Sequence, residues 1–504
     1  MMTSVLKTLA RSASKGTESG DPRWRVGRVD NSSVRFLLML ATALASGCGQ
    51  GPEPEFVFTP RTDDLMREAR DQVKGSVVEH FGTPNHLVAW QRMPVDFGQI
   101  AGEVTDASQP GSNQLPVSLT LSEEQQDRFA AGHASLARSG LLWTSGKYTA
   151  ADLAFQVMNF QPAEGDPTTG SLAINANLED PVDPGAKFLV VGETFQHGRA
   201  LYMQHCVHCH GTSGDGHGPT APYLNPRPRD YRLGIFKFTS TTASDRATRD
   251  DLARTIREGI PGTYMPSFLL LEDDELHAII EYIRWLAMRG EYEKRLVDQL
   301  VTDYSNEAFK ERVEGGETAA EIREELKEIV TDEWTDMVDT AADGLAQFWT
   351  RSEEPSSLVT PKTPRTEPTL ESVANGRKLY LSDKTKCVSC HGITGRGDGP
   401  QAESYQKKPT GEEYDEPGLF DVWDNPIEPR NLTKGIYRGG RRPVDLYRRI
   451  HAGIKGTPMP AFSTALTEAE IWDIVNYVMA VPYEANGGPS SQPKTPHVAA
   501  TEQH

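Results

Sequence analysis

Apolar residues recur at helical spacing in several separate stretches of this chain. Between Glu272 and Arg289, Leu276, Ile279, Ile280, Ile283 and Leu286 share one face. Between Thr467 and Ala480, Ile471, Ile474, Val475 and Val478 do the same. A period near 3.6 predicts an amphipathic helix in each. Thr467 and Glu470 stand three apart at the start of the second, the pattern of a capping box. Further helices are predicted at Glu193 to His205, at Ser372 to Leu381, and at Asp63 to Phe81, where Leu65, Ala69, Val73 and Val77 align. Another starts at Ser122, which can form a capping box with Gln125. A longer pattern runs through Ile322, Leu326, Ile329, Val330, Trp334, Met337, Val338, Ala341, Leu345 and Phe348. It predicts one amphipathic helix from about Glu317 to Trp349, with its apolar face on a neighbouring domain.

Two of these patterns follow the same chemistry. Cys206-Val207-His208-Cys209-His210 and Cys387-Val388-Ser389-Cys390-His391 are both Cys-x-x-Cys-His, the pattern of a c-type haem attachment site. The thiols link to the porphyrin and the histidine offers an imidazole to iron. The competing readings are half a zinc site or a redox dithiol. Zinc wants four ligands, and the only cysteine pairs here are these two motifs. A thioredoxin-like dithiol needs no adjacent histidine.

Each motif sits inside a longer internal repeat. Gly198-Arg199-Ala200-Leu201-Tyr202 matches Gly376-Arg377-Lys378-Leu379-Tyr380. Glycine-rich stretches follow, from Gly211 to Pro219 and from Gly392 to Pro400. Pro228-Arg229 matches Pro429-Arg430, and Gly234-Ile235-Phe236 matches Gly435-Ile436-Tyr437. Gly259 to Pro266 (GIPGTYMP) matches Gly453 to Pro460 (GIKGTPMP). The copies lie 181 residues apart at Cys206 and Cys387 but 194 apart at Met265 and Met459. The second copy therefore carries about 13 extra residues, which fit a loop in the Gln406 to Asn425 region.

This doubled pattern resembles the class I c-type cytochromes, over roughly residues 191–290 and 372–484. The resemblance implies a mainly α fold with two haem domains and two covalently bound haem c. It implies Cys206, Cys209, Cys387 and Cys390 as attachment residues, His210 and His391 as proximal ligands, and Met265 and Met459 as distal ligands. In such a frame the glycines and prolines around each methionine make a stiff loop. The alternative for any methionine is core gap-filling. The family also makes Pro219 and Pro400 candidate acceptors for the imidazole N–H, against the alternative of simple turn prolines. Arg229 and Arg430 become candidates to pair with haem propionates, against the alternative of solvated surface arginines. His205, His208, His217, His277 and His451 read as surface or loop residues, not ligands.

Charge and targeting complete the division of the chain. Phe36 to Ser46 is an apolar run too short to span a bilayer but of signal-peptide length. It ends in Ala45-Ser46-Gly47-Cys48, which resembles a bacterial lipoprotein box and accounts for the fifth and last cysteine. The alternative is an ordinary cleaved signal. Residues 1–47 are thus expected to be a leader, and 48–190 an irregular N-terminal extension without an assignable motif. The extension would wrap the first haem domain or space it from a membrane. Residues 291–371 are expected to be an acidic helix and a Pro-rich linker, and 485–504 a disordered tail. The net charge is −19, and Glu291 to Glu354 alone carries 19 acidic and 7 basic residues. That segment is either a docking surface for a basic partner or a solvated helix face. An acidic exported chain gives no reason to expect nucleic-acid binding.

The functional expectation is a dihaem electron carrier on the periplasmic side, lipid-anchored through Cys48. Electrons would pass from a dehydrogenase or quinol-oxidising donor to an acceptor such as a terminal oxidase. No small-molecule substrate and no catalytic residue are expected. The rivals are a cytochrome subunit of a larger dehydrogenase or oxidase complex and, further off, a dihaem peroxidase, which needs an open iron position.

Overall fold

The computed structural model describes residues 55–131, 136–145 and 155–485. The expected leader, Cys48 and the tail from residue 486 lie outside the described residues.

The N-terminal extension corrects the expectation of irregular structure. After α1 (Pro60–Asp63) and α2 (Arg67–Phe81) come β1 (Gln99–Val104), β2 (Ser112–Leu119), α3 (Glu123–Ala130), β3 (Gly140–Trp143), β4 (Phe155–Ala163), β5 (Asp166–Leu178) and β6 (Lys187–Val191). The strands pair in the order β1-β2-β5-β4-β3-β6. Antiparallel pairing of β6 with β1, Gln99 against Val191, closes a barrel. Closure leaves no free sheet edge. The inside is a packed apolar core of Ile100, Val104, Leu115, Val117, Leu172, Ile174, Phe188 and Val190. Strand β1 alternates exposed and buried residues throughout, as a half-buried strand must.

The expected helix from Asp63 to Phe81 is broken at 64–66, where Leu65 bridges to Ser305 and Met66 N–H donates to Tyr304 O. The Ser122–Gln125 capping box forms as predicted.

The first repeat copy supplies α4 (Glu193–His205), α5 (Val207–His210), α6 (Arg249–Glu258) and α7 (Asp273–Tyr304). Helix α7 runs well beyond Arg289, so the boundary expected near residue 290 falls inside it. Nothing interrupts it before Ser305, and α2 and α10 (Trp334–Ser352) cover its flanks. Buried continuously from Ala278 to Glu293, it takes in charges that a simple amphipathic helix would expose. Glu281, Arg284, Glu291 and Glu293 are all buried, and each has a partner, as burial demands. Arg249 Nε donates to Glu281 at 2.6 Å and Arg284 Nη1 to Glu353 at 2.7 Å. Trp349 Nε1 donates to Glu291 at 2.8 Å, and Thr62 Oγ1 to Glu293 at 2.6 Å. Arg289 is held between the rings of Phe56 and Phe58, 4.6 and 4.9 Å from their centres.

The acidic segment forms α8 (Asn306–Glu314), α9 (Ala319–Asp332) and α10 rather than one long helix. Glu333, at φ −116° and ψ −14°, separates α9 from α10. The apolar face packs as expected, with Ile322, Leu326, Val338, Ala341, Leu345 and Trp349 buried in the core of the first copy. The following Pro-rich stretch is not a free linker. Thr242 N–H donates to Ser357 O, Val359 N–H to Ser240 O, and Trp472 Nε1 to Thr363 O at 3.2 Å. It is strapped across both copies.

The second copy comprises α11 (Leu370–Tyr380), α12 (Val388–His391), the short pair β7 (Leu419–Phe420) and β8 (Pro426–Ile427), α13 (Pro443–Ala452) and α14 (Glu468–Ala485). The Thr467–Glu470 capping box is present. Among the described residues, no helix is long and apolar enough to cross a membrane.

In both copies the first and last helices cross at a glycine. A Cβ on Gly198 would lie 2.0 Å from Ala278 O, and one on Gly376 would lie 1.9 Å from Asp473 O. One turn on, Tyr202 packs on Tyr282 and Tyr380 on Tyr477, each with ring centres 5.2 Å apart. Gly376→Ala must push α11 off α14. It is expected to destabilise the second copy by about 1–3 kcal/mol, the usual cost of overpacking. Thermal unfolding would read this, and a variant melting with the parent would contradict the tight crossing.

Candidate haem sites

Each Cys-x-x-Cys-His motif is a single helical turn, directly after α4 in the first copy and separated from α11 by six residues in the second. Cys206 O accepts from Cys209 N–H at 3.2 Å and from His210 N–H at 2.9 Å; Cys387 O accepts from Cys390 and His391 in the same way. The turn puts two thiols three residues apart and sends the imidazole past them. All four cysteines are half-buried. The repeated tyrosine fixes the turn from behind. Tyr202 Oη donates to Gly211 O at 2.8 Å and Tyr380 Oη to Gly392 O at 2.7 Å.

The imidazoles are oriented by backbone. His210 Nδ1 lies 3.1 Å from Arg229 O and His391 Nδ1 lies 3.2 Å from Arg430 O. A carbonyl can only accept, so Nδ1 carries the proton and Nε2 keeps its lone pair for a metal. Burial pushes the His210 imidazole down to about 4 and lowers His391 as well, which favours the neutral, ligating form. These bonds correct the expectation for Pro219 and Pro400. Gly218 N–H donates to Cys209 O and Gly399 N–H to Cys390 O. That ties the following prolines to the motif turn itself, and the Arg229 and Arg430 segments pass behind the rings instead. Tyr231 also stacks on His210, with centres 4.8 Å apart.

The two methionine loops share one hydrogen-bond pattern. Ile260 N–H donates to Met265 O, and Ile454 N–H to Met459 O. Thr263 Oγ1 donates to Ile260 O at 2.8 Å and accepts from Met265 N–H at 3.1 Å; Thr457 does the same at 2.7 and 3.3 Å. The threonine of Gly-Thr-x-Met-Pro thus closes the loop. Met265 and Met459 are partly buried, each against the core of its own copy.

Both sets open on one cavity of about 910 Å3. Cys206, Cys209, His210 and Met265 line it from one copy, and Cys387, Cys390, His391 and Met459 from the other. Its walls include Ile279 and Ile283 on one side and Ile474 and Val478 on the other. Arg229, Lys237, Arg430 and Arg438 also line it. Burial lowers Arg229 to about 10 and Lys237 to about 8, and lowers Arg438 too. Nearby, Asp421 is buried and lies 3.7 Å from Lys237 Nζ. Arg438 Nε is buried and makes no hydrogen bond. A space with apolar walls, lined by paired thiols, an imidazole and a thioether from each copy and by cations short of anions, fits a flat macrocycle bearing carboxylates. The residues present therefore suit haem c, with the thiols holding it and the basic side chains meeting its propionates.

Arg229 and Arg430, expected from the sequence, line the cavity as candidates require. Lys237, Arg438 and Trp423 were not singled out. A signal existed for the first two, because extending the repeat one residue past Phe236 and Tyr437 aligns Lys237 with Arg438. Trp423, whose ring lies 4.0 Å from the Arg229 guanidinium, has no counterpart in the first copy. The remaining histidines take other partners or places. His217 Nδ1 donates to Asp215 O, His277 Nε2 pairs with Asp96 at 2.9 Å, and His451 stacks on Tyr447. His205 and His208 lie on the cavity wall beside the first motif. Among the described residues, no three His, Cys, Asp or Glu side chains gather as a metal cage, so the zinc reading has no ligand set there.

The Cytochrome c family matches residues 195–287 and 373–482. These two segments are cytochrome c domains, which implies covalently bound haem c. No curated protein sequence matches the chain. Among solved structures, one similar chain belongs to the reducing HAO-like protein complex of Kuenenia stuttgartiensis. It is 26% identical, with 57% of this chain and 96% of that chain covered and a TM-score of 0.39.

The tyrosine-to-carbonyl bond is open to test. Tyr202→Phe removes the hydroxyl bond and leaves Gly211 O only the longer bond from Gly214 N–H at 3.3 Å, expected to cost about 1 kcal/mol. The same loss is expected for Tyr380→Phe at Gly392. Denaturant unfolding measures both, and unchanged midpoints would remove the bond from the account.

Proposed function

We propose that this chain is a dihaem electron-transfer protein. Its two cytochrome c domains would each hold one haem c, with His210 and Met265 as axial ligands in the first and His391 and Met459 in the second. The observation that carries this reading is that a complete set of thiols, oriented imidazole and methionine loop from each domain lines the same cavity. When bound, the haem iron supplies one-electron exchange between its ferrous and ferric states. The protein's own groups do the rest. The carbonyls of Arg229 and Arg430 aim each imidazole, burial keeps it neutral, and the threonine-closed loops hold each thioether in place. A methionine opposite histidine raises the potential relative to other axial pairs. Held by these residues, the haems would offer no position to a substrate, and the chemistry they would supply is electron passage without bond making. Donor and acceptor would be redox proteins, with a dehydrogenase or quinol-oxidising complex upstream and a terminal oxidase downstream.

A second reading, a cytochrome subunit of a larger redox complex, is favoured by one observation. The barrel of β1–β6 and the acidic helices α8–α10 are not needed to hold a haem and offer surface for a stable partner. Co-purification in mild detergent separates a subunit from a free carrier.

The purified protein is expected to show two covalent haems per chain by pyridine haemochrome assay, both low-spin when ferric. Met265→Ala and Met459→Ala should each convert one haem to a form that binds added ligands. One high-spin haem in the unaltered protein, or turnover of peroxide, would overturn the carrier reading in favour of an enzyme. The proposed lipid anchor is tested separately. Cys48→Ser should release the protein from membranes, and undiminished retention would refute lipidation.

A further inference from the structure

The methionine loop of each domain leans on the opposite domain. In the first domain's loop, Gly262 O accepts from Arg438 Nη2 of the second domain at 3.3 Å. Gly262 sits at φ +78°, and a Cβ there would come within 2.8 Å of the Arg430 guanidinium, also of the second domain. In the second domain's loop, Lys455 Nζ crosses the other way. It donates to Thr241 Oγ1 at 2.7 Å and to the Asp245 carbonyl, both in the first domain. Gly456, next in that loop, packs so closely that a Cβ would meet Trp423 at 2.9 Å and Ile235 of the first domain at 3.1 Å. The repeat has Pro261 where the second copy has Lys455, so the two loops are held by different chemistry from opposite sides.

A loop two to four residues from a ligand cannot shift without moving the ligand. We propose that the distal methionine of each haem is positioned across the domain interface, by Arg438 and Arg430 for Met265 and by the Lys455–Thr241 tie for Met459. The inference rests on the dihaem reading above. It gives Lys455 and Thr241 a positioning role, gives Arg438 and Arg430 that role besides their place among the basic side chains that would meet the propionates, and makes each haem's potential dependent on the neighbouring domain. Both loops are short and glycine-bearing, with one threonine each to close them, so outside support has leverage. The interface itself is firm. Arg254 Nη1 donates to the buried Asp445 at 2.8 Å, and Arg229 lies over Trp423.

The test uses the full chain carrying both haems. The methyl signals of the ligating methionines are followed by proton NMR of the reduced protein, and each midpoint potential by spectroelectrochemical titration. Thr241→Val, a change in the first domain, is expected to move the Met459 signal and leave that of Met265. Lys455→Met should do the same, and Lys455→Arg should restore it in part. Arg438→Gln, a change in the second domain, is expected to move the Met265 signal. Each should alter the reduction equilibrium of the affected haem by about fivefold or more, the low end of coupling between sites. A purely structural role would lower the melting point and leave both signals and potentials in place. Two low-spin haems with unmoved signals and potentials in all these variants would overturn the inference while sparing the dihaem reading. A parent protein lacking two low-spin haems would instead sink that reading.

Discussion

The close crossing of the first and last helix in each cytochrome domain is the constraint from which the rest follows. Gly198 against Ala278 and Gly376 against Asp473 bring two backbones into contact that any side chain would prevent. That approach sets Tyr202 and Tyr380 against their partner helices, with each hydroxyl at the carbonyl that follows the motif histidine. The hydroxyl pins the end of the motif turn, and the turn fixes where two thiols and an imidazole point. Glycine and tyrosine four residues apart therefore act as one device, present in both copies. The cost of bringing helices together is met by burial of the apolar faces of α7 and α14.

Electrostatics then explains why two domains share a cavity. Arg229, Lys237 and Arg438 are half-buried near one another, and partial burial weakens the hold of each on its proton. Buried cations need anions. Asp421 supplies one, and Asp230 is taken by Arg232 at 2.7 Å. Propionates of bound haem would supply the balance. Haem loading and domain docking are then linked, because the charge that stabilises one stabilises the other.

Much of the haem-bearing part was legible because covalent chemistry needs residue types in fixed order. Cysteines, histidines, methionines and their glycine frames all land on the cavity or its loops. The acceptor for the imidazoles was not legible. A carbonyl has no sequence signature, and only the path of residues 228–230 and 429–431 decides it. The barrel was missed although its alternation was present in Leu115, Val117 and Leu119 and in Phe188 and Val190. Pro116 inside β2 and Gly170 inside β5, residues disfavoured in strands, mask a period of two in the sequence. The buried charges of α7 were unreadable for another reason. Glu281 and Glu293 look like a solvated face until Arg249, Thr59 and Thr62 arrive from distant segments.

The departures from the repeat carry the most information about how the domains work together. The first copy lacks the extra loop of the second, and that loop delivers Asp421 and Trp423 to Lys237 and Arg229 of the first. Helix α7, lengthened beyond its counterpart α14, leads into α10 and the strap of residues 355–368, which ties both copies side by side. Lys455 replaces Pro261 and reaches into the first domain. A duplicated domain needs none of these to bind its own haem. Each of them instead lies at, or leads to, the junction, where one copy's methionine loop meets the other copy's basic side chains. The insertion and the substitution are the physical means by which two copies of one fold become a single two-centre unit.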